Sequence, residues 1–328
     1  MKCINKWICL SLLIAVSCVS GCGKTSAAIE QPYAVYATAE DFGLSSNGTA
    51  EAKSYFASNL CVSEDVAIGT DSTDSQVAEG AGTFNLETNT VVYAKNLYER
   101  LYPASTTKIL TAYIALKYCD DLDAMVTVSE NAVNQASDSS VCNLKAGDVI
   151  RLRDLLYGLM LRSGNDAAVA IAEYISGDVD SFAALMNQEA AAMGATRSHF
   201  VNPNGLPDEN HYTCVYDMYL IFSNAIKNDT FVSIIGTTSY DVTYTDASGE
   251  AVTHTWENTN QYLTGNATTP DGFQIVGGKT GTTGEAGYCL VLYSYNPSGQ
   301  PIISIVFKAD GKSNLYLLMN EMLQGFAI

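Results

Sequence analysis

Pro103-Ala104-Ser105-Thr106-Thr107-Lys108 leads directly into the apolar stretch from Ile109 to Leu116, and this segment decides the predicted fold. Pro103 suits the first turn of a helix, because its backbone angle is fixed and it has no amide hydrogen. The residues that follow are rich in Ala, Leu and Ile, so about four helical turns are predicted. Ser105 and Lys108 are three residues apart and therefore share one helix face. A lysine on an apolar helix is costly to bury unless it is paired, which points to a role shared with the serine.

The composition predicts a folded and strongly acidic protein. Hydrophobic residues make up 47% of the 328 residues and charged residues 16%, so one large domain or two small ones with a sizeable core are expected. Lys and Arg number 17 against 35 Asp and Glu, which gives a net charge of −18. A field of that sign repels nucleic acid, and no basic patch with interleaved aromatic residues is present. No nucleic-acid partner is therefore predicted.

Residues 1–21 are predicted to be a lipoprotein signal peptide. The apolar run Trp7–Val19 follows two lysines and is shorter than the roughly 20 residues of a membrane-spanning helix. It ends at Val19-Ser20-Gly21-Cys22, which resembles the bacterial lipobox, where the cysteine is lipidated. The alternatives are a simple cleaved secretory signal and an uncleaved anchor. We expect residues 22–58 to be a flexible acidic tether and 59–328 to be the folded domain, held outside the cytoplasmic membrane by lipid on Cys22.

The cysteines and histidines show no metal-binding pattern. Five of the nine cysteines remain outside the signal peptide and Cys22, an odd number without a C-x-x-C pair. We expect each to pack as a small apolar residue. The three histidines lack metal-ligand spacing, so neither a metal site nor a cofactor is predicted. The five remaining cysteines are Cys61, Cys119, Cys142, Cys214 and Cys289.

Strands are predicted near both ends of the domain, with helices between them. Cys61–Ile68 and Asn89–Asn96 are expected to pair as a hairpin. Two amphipathic helices, residues 151–162 and 165–176, flank the turn Ser163-Gly164. The predicted elements of the C-terminal part are the hairpin strands 238–245 and 251–255, the strands 274–279, 288–295 and 301–307, and a final helix, 315–323. The expected fold is α+β: an antiparallel sheet built from both chain ends, with helices packed on it and an inserted mainly helical region.

Three short motifs stand in order on these elements: Ser105-Thr106-Thr107-Lys108, Ser163-Gly164-Asn165 and Lys279-Thr280-Gly281. Each is weak alone, but their order on a helix start, an interhelix turn and a strand end is specific. With them the chain resembles the serine D-alanyl-D-alanine carboxypeptidases, the low-molecular-mass penicillin-binding proteins of peptidase family S11, from about residue 59 onward. The resemblance implies a β-lactamase/transpeptidase-like fold. It also implies peptidoglycan stem peptides ending in D-Ala-D-Ala as substrates and β-lactams as covalent inhibitors.

The resemblance implies catalytic roles for three residues, two from the first motif and one from the second. Ser105 is expected to be the nucleophile that forms an acyl-enzyme. Lys108 is expected to be its base, because burial and the like charge of Lys279 both favour the neutral amine. Ser163 is expected to carry protons between Lys108 and the leaving D-alanine.

Further residues of the motifs are expected to bind the substrate. Asn165 can donate to the substrate carbonyl and accept from Lys108. The oxyanion is expected between the backbone amides of Ser105 and Thr282. The strand that ends in Lys279-Thr280-Gly281 is expected to pair with the extended peptide, with Gly281 permitting close approach.

Lys279 and Thr280 are expected to face the terminal carboxylate of the substrate. Relatives commonly add an arginine near the last strands, whereas no arginine follows Arg197 here. Either Lys312 replaces this arginine or the contact is missing.

Other functions of the same fold stay open. A DD-endopeptidase or transpeptidase differs only in which amine leaves or attacks. A class A β-lactamase needs a glutamate for deacylation, usually within Glu-x-x-Leu-Asn between the second and third motifs, and no such run occurs. The non-enzymatic alternative is a β-lactam-sensing or wall-binding protein that is acylated but turns over slowly. The intact Ser105, Lys108 and Ser163 argue against that alternative.

Overall fold

Two antiparallel sheets organise the part of the chain that the computed structural model describes, which is Ala57 and residues 59–328. The predicted signal peptide, the predicted lipidation site Cys22 and all of the predicted tether except Ala57 lie outside these residues. The strands of the described part are β1 (Ala78–Asn85), β2 (Thr90–Lys95), β3 (Met125–Thr127), β4 (Val149–Arg151), β5 (Ser239–Thr245), β6 (Ala251–Glu257), β7 (Gln274–Thr283), β8 (Gly287–Tyr295) and β9 (Pro301–Ala309).

The larger sheet joins the two ends of the described chain. Its strand order is β2-β1-β9-β8-β7, so an early strand lies directly beside the last one. The register runs from Ala78 opposite Ala309 to Asn85 opposite Ile302. This confirms the prediction of one sheet completed from both chain ends. A smaller sheet, with the order β3-β4-β5-β6, was not predicted, although its β5–β6 hairpin was.

The prediction of a strand at Cys61–Ile68 is wrong. The amide of Cys61 donates to the hydroxyl of Tyr219, 2.9 Å away, and only Ile68 forms an isolated β-bridge, with Ala94. The apolar side chain of Val62 is 64% exposed, so the alternation in this segment does not mark a buried face. The partner of β2 is β1 instead.

The helices fill the space between the strands and cover the larger sheet. The segment 165–176 is a helix with the predicted bounds. The predicted 151–162 helix is α-helical in its first half and ends in a π-helical turn at Gly158–Arg162. The α-helices of the described part are α1 (Lys108–Tyr118), α2 (Glu130–Val133), α3 (Leu152–Tyr157), α4 (Asn165–Ser176), α5 (Val179–Ala192), α6 (Val215–Ala225), α7 (Asp229–Ile235), α8 (Gln261–Thr264) and α9 (Lys312–Phe326).

Two hydrophobic clusters hold these elements together. The larger one includes α1, α4 and α6 with one face of the sheet, and the smaller one packs α9 on residues such as Ile302 and Val306. Four of the five cysteines with free thiols in the described part are buried, as expected for small apolar residues, and Cys119 is half-buried. None of the helices in the described region has the length and apolarity that a membrane span requires.

Candidate active site

Ser105 and Lys108 lie together at the start of α1. A 3₁₀ turn, Ala104–Thr107, precedes the helix and carries the serine, whose side chain is half-buried. The Nζ atom of Lys108 is 3.0 Å from Ser105 Oγ, as their spacing predicted. Lys108 itself has no exposed surface, so its amine is held inside the protein.

The backbone at this site is strained at two residues that are not glycine. Ala104, immediately before the serine, has φ 47°, and Ser163 has φ 62°. A side chain in this left-handed region costs roughly 1–2 kcal/mol, so packing around the two residues must hold them there. Ser163 occupies this conformation because it ends the π-helical turn that runs from Gly158 to Arg162. Ser163 lines the same cavity as Ser105.

The three partners of Lys108 fix where its lone pair points when the amine is neutral. Nζ donates to Asn165 Oδ1 at 2.8 Å and to the backbone carbonyl of Asn204 at 2.7 Å. Both oxygens are acceptors, so they take the two hydrogens of a neutral amine. The lone pair is then left for the third neighbour, the hydroxyl of Ser105. Burial, and next the positive charge of Lys279, lower the pKa of Lys108 well below its usual range.

Ser163 pairs with the second buried lysine of the site. The Nζ atom of Lys279 donates to Ser163 Oγ at 3.0 Å and to the carbonyl of Thr280 at 2.9 Å. Lys279 is 1% exposed, and burial lowers its pKa to about 7. Ser163 thus lies beside the lysine of the third motif, while the hydrogen bonds of Lys108 go to Ser105, Asn165 and Asn204. All three motifs meet at one site.

Strand β7 is the outer strand of the larger sheet within the described residues. Its free edge offers backbone donors and acceptors to an extended peptide. A Cβ atom placed on Gly281 would lie 2.9 Å from the amide nitrogen of Ser105. Glycine is therefore required here because the turn carrying the serine packs directly on the strand, in addition to the predicted approach of substrate.

A cavity of about 220 Å³ opens beside the serine. Ser105, Ser163, Thr280, Thr282 and Lys312 are among its lining residues. Lys312, at the start of α9, is exposed and makes no ion pair among those found in the described chain. Lys312, one of the two alternatives considered for the arginine of the relatives, therefore lies in the wall of the site.

Two contributions to the site were missed by the sequence analysis. One is the carbonyl of Asn204, whose loop was predicted only as a turn. The other is Thr259, whose hydroxyl lies 2.6 Å from that of Thr280 and lines the same cavity. A backbone carbonyl leaves no signal in residue type, and Thr259 follows β6 without any motif. No group of His, Cys, Asp and Glu in the described residues could hold a metal ion.

The fold and the side chains around Ser105 have the form of a serine peptidase site with a lysine beside the serine. The chain belongs to peptidase family S11, described as D-alanyl-D-alanine carboxypeptidase, whose profile matches residues 69–311.

Relatives and solved structures agree with this family. D-alanyl-D-alanine carboxypeptidase DacF of Bacillus subtilis is 34% identical over 251 residues, 75% of this chain and 61% of that protein. The chain thus spans less than two thirds of the Bacillus protein. D-alanyl-D-alanine carboxypeptidase of Streptomyces sp. strain K15 is 34% identical over 76% of this chain and 88% of its own length. The crystal structure of the Streptomyces K15 DD-transpeptidase superposes with a TM-score of 0.69 at 33% identity, covering 77% of this chain and 98% of that one.

Proposed function

We propose that this protein is a serine DD-carboxypeptidase that removes the terminal D-alanine from peptidoglycan stem peptides ending in D-Ala-D-Ala. The observation that supports it most directly is the geometry of Lys108. Two carbonyl oxygens engage its hydrogens, so the neutral amine directs its lone pair at the hydroxyl of Ser105, 3.0 Å away. A serine hydroxyl needs such a base before it can attack a peptide carbonyl.

The proposed reaction has two halves. Ser105 Oγ forms a bond to the carbonyl carbon between the two D-alanines and gives its proton to Lys108. The C–N bond then breaks, and Ser163 passes its proton to the departing amine of D-alanine and takes one from Lys108, which becomes neutral again. In the second half water attacks the acyl-enzyme and gives its proton to Lys108, which returns it to Ser105 Oγ as the ester bond breaks. The developing oxyanion lies between the backbone amides of Ser105 and Thr282.

Substrate binding is proposed along β7. The extended peptide pairs with the free edge of the strand, with Asn165 donating to its backbone. Its terminal carboxylate lies against Thr280, between the positive charges of Lys279 and Lys312. Thr280 and Lys312 line the same cavity as Ser105, and Lys279 donates to Ser163, which also lines it. These two lysines place positive charge at the site in a protein whose net charge is −18.

Release of D-alanine tests this function. The full chain is incubated with a peptide ending in D-Ala-D-Ala, and free D-alanine is measured beside labelling by a fluorescent penicillin. We expect the wild type to release D-alanine and to be labelled, and Ser105→Ala to do neither. Label that persists in Ser105→Ala refutes the nucleophile. A wild type that is labelled but releases no D-alanine supports a slow β-lactam-sensing protein instead.

Transpeptidation is the second candidate, because the Streptomyces K15 structure that superposes on this chain is described as a DD-transpeptidase. Transfer and hydrolysis differ only in whether an amine or water attacks the acyl-enzyme. Adding an amino-acid acceptor to the assay separates them. A transpeptidase converts most acyl-enzyme into the new peptide, whereas a carboxypeptidase gives mainly the hydrolysed product.

We propose further that lipid on Cys22 anchors the protein at the outer face of the bacterial cytoplasmic membrane. The support is the sequence Val19-Ser20-Gly21-Cys22 at the end of an apolar run. Cys22→Ser is expected to release the protein from the membrane fraction, while Cys18→Ser, which changes a neighbouring cysteine of the signal peptide, leaves it bound. Equal retention of both variants would count against lipidation.

A further inference from the structure

His211 is buried next to the catalytic turn but has no part in the reaction proposed above. It is 1% exposed, and its ring packs edge-on against Phe200 with the ring centroids 5.5 Å apart. No hydrogen bond joins it to Ser105, Lys108 or Lys279 among those found in the described residues. Its two ring nitrogens instead contact Thr107 and the backbone of Val201.

These two contacts determine which nitrogen carries the proton. The amide of Val201 donates to Nδ1 of His211 at 3.2 Å, and an amide nitrogen can only donate. Nδ1 is therefore unprotonated, and the ring hydrogen is on Nε2. Nε2 lies 2.9 Å from Thr107 Oγ1, so His211 donates to that hydroxyl. Burial lowers the pKa of His211 to about 4, which is consistent with this neutral form.

Thr107 stands between the nucleophile and the lysine. It is fully buried in the turn that carries Ser105, and Lys108 follows it directly. The loop that precedes His211 also contacts the residue that follows the turn, because the carbonyl of Asn204 accepts from Lys108. The bond from His211 to Thr107 therefore joins this loop to the turn at a point between the two reacting side chains.

We propose that His211 is a positioning residue, which holds Thr107 by its Nε2–H bond and so fixes the distance between Ser105 and Lys108. This inference rests on the proposed roles of those two residues. His211 acts through Thr107 and touches neither the substrate nor the reacting atoms. Reacting groups displaced by about 1 Å can lose roughly 100-fold in rate, so a single buried bond is sufficient to matter.

Two substitutions test the two ring nitrogens of His211 separately. His211→Gln can place an amide N–H near the position of Nε2 and keep the donor to Thr107. His211→Asn reaches only as far as Nδ1, so it can keep the contact with Val201 and loses the donor. We expect the first-order acylation rate at saturating fluorescent penicillin to stay within about threefold of wild type for His211→Gln. For His211→Asn we expect it to fall by about 10- to 100-fold, with the noncovalent affinity unchanged.

A double-mutant cycle makes the test independent of simple destabilisation. Thr107→Val removes the acceptor with little change of shape and is expected to slow acylation as His211→Asn does. The double variant is expected to be no slower than either single one, because both remove the same bond. Additive losses, or wild-type acylation in His211→Asn or Thr107→Val, overturn the proposal. If His211→Asn does not fold, Thr107→Val alone decides. A wild type that is not labelled on Ser105 shows instead that the proposed function has failed.

Discussion

At the scale of single residues, the site depends on two lysines that the fold removes from water. Lys108 and Lys279 are 0% and 1% exposed, and burial lowers the pKa of both. The positive charge of Lys279 adds to the effect on Lys108. In the proposed mechanism Lys108 is the base and must be unprotonated, so its pKa sets the pH below which acylation is expected to be lost.

Replacing Lys279 is expected to change the pH below which acylation is lost. Lys279→Gln removes a positive charge, so the pKa of Lys108 rises and its protonation begins at a higher pH. The acidic limb of the pH profile of acylation should therefore shift upward, measured with a fluorescent penicillin at saturation. Lys279→Arg keeps the charge and serves as the control, whose acidic limb should not shift upward. A Lys279→Gln profile that coincides with the arginine variant contradicts the charge effect.

The lowered pKa of Lys279 also makes the free energy of unfolding depend on pH. Lys279 binds its proton with a pKa of about 7 in the folded protein, below its ordinary value of 10.5. Between these two values the unfolded chain binds more protons than the folded one. The contribution of Lys279 to the free energy of unfolding therefore rises with pH through this window and is smallest below about pH 7.

The strained alanine before the nucleophile gives a second prediction at this scale. Glycine adopts the φ of 47° at Ala104 without steric cost, so Ala104→Gly should stabilise the protein by roughly 1 kcal/mol. Ala184→Gly, at an exposed position inside α5, should instead destabilise it by about 1 kcal/mol. Urea unfolding measures both changes. Equal destabilisation by the two variants would show that Ala104 bears no strain.

At the scale of elements, the loop between residues 201 and 211 supports the catalytic turn. Gly205 has φ 87°, and a Cβ atom there would lie 1.9 Å from the carbonyl oxygen of Ala104. The loop and the turn therefore touch through their backbones, and even a methyl group between them forces one to move.

Gly205→Ala is expected to abolish or strongly slow acylation, because the displaced turn carries Ser105. Gly249, in the β5–β6 hairpin, has nearly the same φ of 88° but no atom within 4 Å of an added Cβ. Gly249→Ala therefore isolates the backbone strain, about 1–2 kcal/mol, and should leave acylation unchanged. Measured acylation rates and melting temperatures of both variants check this. Equal acylation would contradict the role of the close contact.

The elements that could be predicted are those in which the spacing of apolar residues in the sequence corresponds to buried positions in the structure. Helix α4 was predicted with its observed bounds because it carries apolar residues at helical spacing, and those from Ala167 to Ala172 are buried. Strand β1 was missed because Gly80 and Gly82 have low strand propensity. A Cβ atom on Gly82 would lie 2.8 Å from the side chain of Leu97, so close packing requires glycine here. The same glycine weakens the sequence pattern by which a strand is recognised. The false strand at 61–68 took its place in the prediction.

At the scale of the whole molecule, the sheet separates two cores of different size. The smaller core depends on α9, in which Leu318 is fully buried and its neighbour Leu317 is 60% exposed. Leu318→Ala is expected to lower the free energy of unfolding by about 2–5 kcal/mol, because it leaves a cavity. Leu317→Ala should change it by about 0.5 kcal/mol or less. Urea titrations of the two variants make the comparison, and similar losses would show that α9 is not held by this face.

The candidate site was predictable where chemistry requires a particular residue type. The side chains named by the three motifs lie together in the structure; they are Ser105, Lys108, Ser163, Asn165 and Lys279. Contacts that the tertiary fold creates could not be predicted in this way. The carbonyl of Asn204 could come from any residue type, and Thr259 reaches Thr280 only because the segment after β6 passes beside β7.

The pairing of β1 with β9 also affects how fast the protein can fold. Ala78 lies opposite Ala309, so the second edge of β1 pairs with β9, the last strand of the described residues. Contacts of such long sequence separation slow folding. Lys279 lies on β7 of the same sheet, so its hydrogen bond with Ser163 joins residues that are 116 positions apart in the sequence. The site around Ser105 thus depends on contacts between segments that are far apart in the sequence.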